Sequence, residues 1–335
     1  MRLLKLLLPA IALFSLHEKI IAQDTTKVVK DTAELMNQLE NESRTNKTMY
    51  AAGTFKYTRV VNGQSVENLP TNVLDFRISH RFGPLNQGLY NFFGLDYAAF
   101  NVRIGFDYGI TNSLMIGVGH NAYLKTYDAF FKLKILKQSK GAVNMPFTVS
   151  FVPTISINTV KSSDFGYDFS DSTETKKGRA SYTFQLLIGR KFSEGFSLQL
   201  MPTYIHADNI SFNHYKDNMY IRDIVAIGIA GRQKISKRMS INAEYYYQLP
   251  NTESSTATNA ASVGLEIGTG GHVFQLLFTN ALGITEKSFI SETGRTDKTN
   301  GGFDKHGLRF GFNISRVFQL GKKHGDNKSK DWGKK

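Results

Sequence analysis

The sequence predicts an all-β fold, an antiparallel transmembrane barrel of the outer-membrane type with about twelve strands. Three observations lead there. About twelve segments switch between apolar and polar residues at every step, five very short turns alternate with five longer polar loops, and the charges that break the apolar face fall near segment ends. A barrel is re-entered by tight turns at one end and carries long loops at the other, so the short-long alternation reports two compartments.

Residues 1–22 begin with Arg2 and Lys5, run apolar from Leu6 to Leu16 and offer Ala22 for cleavage, which reads as a signal peptide. Residues 23–70 form a periplasmic N-terminal segment. Within it, Asp31 followed by Glu34 resembles a capping box, and Leu35, Met36 and Leu39 make an apolar stripe, so a short helix is expected. Thr54 to Val61 alternates and ends in the turn dipeptide Asn62-Gly63, giving either an extra strand or an inserted plug.

The barrel is predicted over 71–320, with strands at 73–83, 98–110, 113–121, 126–137, 146–158, 180–192, 195–208, 220–235, 238–250, 260–268, 271–282 and 306–320. Thr111-Asn112, 193–195, 236–238, 269–271 and a looser 138–145 are the short periplasmic connections. The polar stretches 84–97, 159–179, 209–219, 251–259 and 283–305 face outside, with a shorter loop at 121–125. Residues 321–335 are basic and aperiodic and hold the only tryptophan, Trp332; they read as a disordered periplasmic tail or as a docking peptide for an acidic partner.

Side-chain parity supports the assignment. In the second strand Phe100, Val102, Ile104, Phe106, Tyr108 and Ile110 share one face and Asn101, Arg103, Gly105 and Asp107 the other. The polar residues His80, His120, Arg190, His206, Asp223, His272 and Arg316 have outward parity but lie near strand ends, where headgroups rather than hydrocarbon surround them. Outward aromatics at the ends, such as Phe82, Tyr204 and Phe278 toward the loops and Tyr108, Phe192 and Phe318 toward the turns, form two girdles. Pro153 and Pro202 should mark bulges or locally open pairs, since proline cannot donate to a ladder. Parity alone makes Ile104→Arg far more damaging than Arg103→Ile.

The run from Leu74 to Gly83 (LDFRISHRFG), then Gly88 to Gly119, then Lys125 to Gln138 (KTYDAFFKLKILKQ) resembles an uncharacterised β-barrel family of the Bacteroidota, catalogued as a domain of unknown function. The resemblance is most specific from Thr54 to Gln138 and extends over the barrel in pattern. It implies a Gram-negative outer membrane and supplies no catalytic residues.

Several functions are excluded or disfavoured by composition. The chain has no cysteine, so disulfides, thiolate sites and a lipidated N-terminus are out. Lys and Arg number 41 against 28 Asp and Glu, a net charge of +13, but export removes nucleic acid as a partner. His206 with Asp208, and His120 with Asn121, lack a serine placed for a hydrolase. His206, Asp208, His214 and Asp217 border one external loop, and solvated loop residues are the plainer reading than a cation site. No phosphate-binding loop occurs. No catalytic, cofactor-binding or metal-binding set is expected.

The inward faces carry the candidate site: Asp75, Arg77 and Arg81, then Arg103 and Asp107, then Asp128, Lys132 and Lys134, with Arg222, Arg232, Lys234, Glu244, Glu266 and Arg309 on later strands. Paired charges filling a lumen are one account; a lumen whose cationic surplus favours anions is the other. The expected function is a narrow, non-enzymatic channel or solute-uptake component with an anion-leaning lumen. The alternatives are a docking barrel that holds partners by its loops or tail and, third, an outer-membrane hydrolase. Expected partners are outer-membrane lipid, small anionic solutes and a periplasmic partner for the tail.

Overall fold

Alternation builds the wall first. A computed structural model describes residues 34, 36–37, 47–160, 179–207, 223–250, 258–293 and 307–321. The signal peptide, most of the capping-box helix (of which Glu34, Met36 and Asn37 are helical), most of the long loops and the tail lie outside the described residues.

A two-residue strand β1 (Met49–Tyr50) pairs with β6 (Ser139–Lys140) as a small ribbon beneath the barrel. The barrel comprises β2 (Val73–Pro84), β3 (Val102–Gly109), β4 (Leu114–Asn121), β5 (Thr126–Leu136), β7 (Thr148–Asn158) and β8 (Ala180–Lys191). It continues through β9 (Phe196–Ala207), β10 (Asp223–Lys234), β11 (Met239–Gln248), β12 (Ala260–Gly268), β13 (His272–Thr279) and β14 (Arg309–Gln319). All neighbours are antiparallel and consecutive, and β14 closes on β2, so no edge is left exposed. Closure is what a bilayer demands of strands, because hydrocarbon offers no partner to an unpaired amide.

Large apolar side chains of outward parity are exposed around the wall, among them Ile104, Phe106, Ile116, Val118 and Phe131. A belt of this size is a liability in water and a requirement in lipid. Polar outward residues sit against aromatics at the rims: Arg190 lies over the Phe147 and Phe192 rings, Arg316 over Phe318, and His120 against Tyr127. His80 differs from expectation, since it has outward parity but is buried, stacked on Phe312 and tilted against Phe82.

Both prolines open the ladder where their missing N–H would have bonded. Partners of β5 and β7 run to Phe130–Thr154 and resume at Leu133–Phe151, skipping Pro153. Between β8 and β9 they run from Gln185–Thr203 to Ile188–Leu200, skipping Pro202.

The second strand begins later than its alternation predicts. Residues 98–100 belong to a 3-10 segment, Leu89–Phe100, and β3 starts at Val102. The last pair between β2 and β3 is His80–Val102, so the upper end of β2 pairs with β14 instead. Arg81 N–H still donates to Asn101 O at 3.0 Å, but the 3-10 conformation of residues 98–100 keeps their apolar alternation out of a ladder. Likewise β13 stops at Thr279 rather than 282, and the chain then turns inward to a short helix, α1 (Glu286–Ser291).

Candidate lumen site

Twelve strands enclose a lumen, and residues 54–67 occupy it. This segment does not join the barrel sheet; a single antiparallel bridge, Arg59 with Gln64, folds it into a tight hairpin. Val60 N–H donates to Gly63 O at 2.9 Å, Ser65 N–H donates to Thr58 O at 2.9 Å, and the Ser65 hydroxyl donates to Tyr57 O. Asn62-Gly63 forms the tip. Gly63 is required by close approach, because a Cβ there would come within 2.0 Å of the Tyr246 hydroxyl.

Residues 58–66 of the hairpin are buried, and Lys56, Tyr57 and Glu67 at its open end are partly exposed. Phe55, Val60, Val61 and Val66 pack against side chains that point inward from the wall, including Met115, Phe130, Val152, Leu187, Met201 and Leu277. From the other end α1 adds Phe289, edge-on to Tyr246 at 5.1 Å, while Gln248 Nε2 donates to Ile290 O at 2.6 Å.

Polar wall residues bond the backbone of the hairpin. The Glu244 carboxylate accepts three N–H groups, from Val61 (3.2 Å), Asn62 (2.7 Å) and Gly63 (3.1 Å). The Lys132 ammonium donates to the carbonyls of Thr58 (2.9 Å), Ser65 (2.9 Å) and Glu67 (3.0 Å), which uses all three of its protons. Gln199 accepts from Val66 N–H and donates to Gln64 O, pairing with the hairpin as a strand would. Gln275 donates to Val60 O at 2.7 Å and Asn313 to Val61 O at 3.0 Å. These groups replace the water that an isolated hairpin would need, since buried backbone amides require partners.

The charges named from the sequence fall as follows. Asp75 and Arg77 pair at 2.9 Å, and Arg77 also donates to Thr58 Oγ1. Arg81, 1% exposed, donates to Asn62 Oδ1 (2.7 Å), His80 O (2.8 Å) and Asn313 Oδ1 (3.0 Å). Arg103 grips Asp128 with two parallel bonds, 2.9 and 2.5 Å. Asp107 is buried and stands opposite Asp75 in the register of β2 and β3. Lys134 lies 3.6 Å from the Glu67 carboxylate. Glu266 accepts from Ser240 and Asn242, both at 3.0 Å. Arg309 is buried near the outer end of β14, and Arg222 is outside the described residues.

Parity ranks Ile104→Arg as far more damaging than Arg103→Ile, but the Arg103–Asp128 pair gives the second change a cost that parity does not register. Removing the guanidinium would leave the buried Asp128 carboxyl without its partner, a change that costs several kcal/mol in other proteins.

Arg59 and Glu286 do not appear among the sequence candidates, yet they form a buried pair at 2.9 Å that ties the hairpin to α1. Arg59 is visible in the alternating run but without a partner; Glu286 lies in a polar loop, 227 residues away, with nothing local to mark it. Gln199 and Gln275 were likewise missed. A residual cavity of about 10 Å³, room for one water, lies among Tyr57, Arg59, Arg77, Glu266, Gln275 and Asn313.

The Asp223 carboxylate at the rim accepts from His206 Nδ1 at 2.7 Å and from the Tyr204 hydroxyl at 2.6 Å. Asp208, His214 and Asp217 are outside the described residues. Among the described residues no three His, Asp or Glu side chains converge as metal ligands would.

Among solved structures the chain is similar to the NanC porin, at 9% identity with a TM-score of 0.42, covering 74% of this chain and 100% of that one. It is similar to the KdgM porin at 9% identity and a TM-score of 0.43, covering 73% and 99%. An outer-membrane channel of Pseudomonas putida F1 gives 11% identity and a TM-score of 0.40, covering 76% and 98%. Among curated proteins none matches. A closed antiparallel barrel with an apolar belt is the form strands take in the outer membrane of Gram-negative bacteria, and that is where this barrel resides. A family model described as a membrane-bound beta barrel domain, domain of unknown function 5777, matches residues 55–318, and the chain belongs to that family.

Proposed function

We propose that the protein is an outer-membrane channel for small anionic solutes, held shut by residues 54–67 until that hairpin is displaced. The observation that carries this reading is the Lys132 ammonium, whose three protons all go to hairpin carbonyls. An ion so held is solvated by a removable partner. If the hairpin leaves, Arg77, Arg81, Lys132 and Lys134 each lose oxygen partners. The carboxylates that lose partners are Glu244 and Glu286. The newly bared surface therefore carries more positive than negative charge, and fixed positive charge in a narrow lumen concentrates anions. The Arg59–Glu286 pair gives the hairpin a direct link to the outer loop that bears α1.

A second reading, a barrel that transports nothing and holds partners by its loops, draws on the apolar packing around Phe55, Val60 and Val66. Conductance in planar bilayers separates the two. Glu244→Ala removes the acceptor of three hairpin amides without altering the outer wall. The full chain should conduct in rare openings, and the variant should open several-fold more often with an anion-selective reversal potential across a salt gradient. Cation selectivity overturns the proposal. Silence from both proteins, each folded by heat-modifiable mobility on gels, supports the docking barrel.

A further inference from the structure

The connection between β2 and β3 holds the two most exposed large apolar side chains among the described residues, Tyr90 at 94% and Leu89 at 78%. Phe92 and Phe93 beside them are also exposed. From residue 85 to residue 100 the sole charged residue is Asp96. Such a cluster is too apolar for an ordinary solvated loop.

The cluster is held in place rather than trailing. Gly94, at φ 82°, sits so close to the end of β2 that a Cβ would come within 2.6 Å of the Gly83 and Pro84 backbone. Phe92 and Phe93 adopt left-handed φ of 43° and 54°, which bulky residues accept only where the surrounding structure imposes it. Phe93 N–H donates to Gly88 O at 2.7 Å, and Asn91 Nδ2 donates to Gln87 Oε1 at 3.1 Å.

The cluster also continues a surface already assigned to lipid. Leu85 N–H donates to Leu308 O at 2.8 Å, so the connection leaves the barrel at the head of β14. Just below, the outward ring of Phe310 stacks on Phe82 at a centroid distance of 5.7 Å and meets Phe278 at a tilt at 5.6 Å. Leu308, between the two, is exposed.

We infer that residues 89–93 are an interfacial anchor, inserting Leu89, Tyr90, Phe92 and Phe93 at the headgroup boundary of the outer leaflet. Tyr90, with an apolar body and a polar tip, favours that depth, and Leu89, Phe92 and Phe93 add apolar contact beside it. The lack of basic residues removes any need for anionic headgroups, so apolar contact alone drives the insertion. The inference rests on the barrel's place in the membrane and not on the channel reading.

The test uses the full chain carrying Trp332→Phe, which removes its one tryptophan, and Tyr90→Trp as a reporter. Leu89→Trp serves as a second reporter, and because both sites are exposed the fold should survive either change. In phosphatidylcholine vesicles, replacing the lipid by its chain-brominated form should lower the emission by about half, as expected of an indole buried ~5–10 Å into the interface. Iodide should quench little. Emission at the wavelength of exposed indole, quenched by iodide and indifferent to bromolipid, would overturn the anchor. So would an indole shielded from both quenchers in a cross-linkable dimer, which would assign the cluster to a second copy of the chain.

Discussion

The outward and inward sides of the same strands use their polar atoms in opposite ways. Across the outer apolar belt, hydrogen bonding belongs to the backbone ladder, and side chains such as Ile104, Phe106 and Val118 need only be apolar at the right depth. Inside, side chains do the bonding, and their partner is a second stretch of backbone: Glu244 meets three amides and Lys132 three carbonyls of the hairpin. The outer side should therefore respond to substitution according to depth, and the inner side according to which partner is left behind.

The largest effect is expected inside. Arg103→Ile leaves Asp128 buried and alone, and should destabilise the barrel by about 3–5 kcal/mol. Arg103→Ile combined with Asp128→Leu removes both charges and should recover most of that loss. Urea unfolding in lipid vesicles measures both. If the single and double variants are equally unstable, the inner face is governed by volume rather than by pairing, and the contrast fails.

Outside, Ile104→Arg should cost about 2–4 kcal/mol if its side chain lies near the bilayer midplane, and less the nearer it lies to a headgroup region. Ile104 is 43% exposed on the bare wall, with no side-chain partner to lose. The same unfolding assay should show no rescue by any single inward substitution. Rescue by a change at Asp128 or Asp107 would mean that position 104 reaches the lumen, which would invert the face assignment.

The two sides also differ in how much of them the sequence reveals. Period-two alternation marks the wall because hydrocarbon imposes one simple rule at every outward position, and the span of β12, Ala260–Gly268, follows directly. Alternation misplaces the start of β3, since residues 98–100 take up a 3-10 turn beside the end of β2 and only Asn101 O still accepts from Arg81 N–H there. The hairpin is legible as alternation ending in Asn62-Gly63, but its position is not. The readable hint was the apolar character of Met115, Val152, Leu187 and Met201, which share parity with polar lumen residues and are wholly buried. An aqueous lumen has no use for them; a filled one does. Arg59 and Glu286 show the limit: a pair that spans 227 residues and joins a hairpin to a loop leaves no periodic trace.

The smallest effect is expected where the two sides meet water. At the outer rim Asp223 holds His206 at 2.7 Å and Tyr204 at 2.6 Å, a cluster with outward parity and substantial exposure. If depth governs the outer face, a charge at this height is near the headgroups and its environment is largely aqueous, so the pair contributes little. Asp223→Asn should change stability by about 0–1 kcal/mol, the range of exposed pairs and of rim positions. The same unfolding measurement decides it. A loss as large as that of Arg103→Ile would show that the rim behaves like the interior, with specific partners rather than depth setting its energetics, and the division between the two faces would have to be redrawn along the barrel axis instead of across the wall.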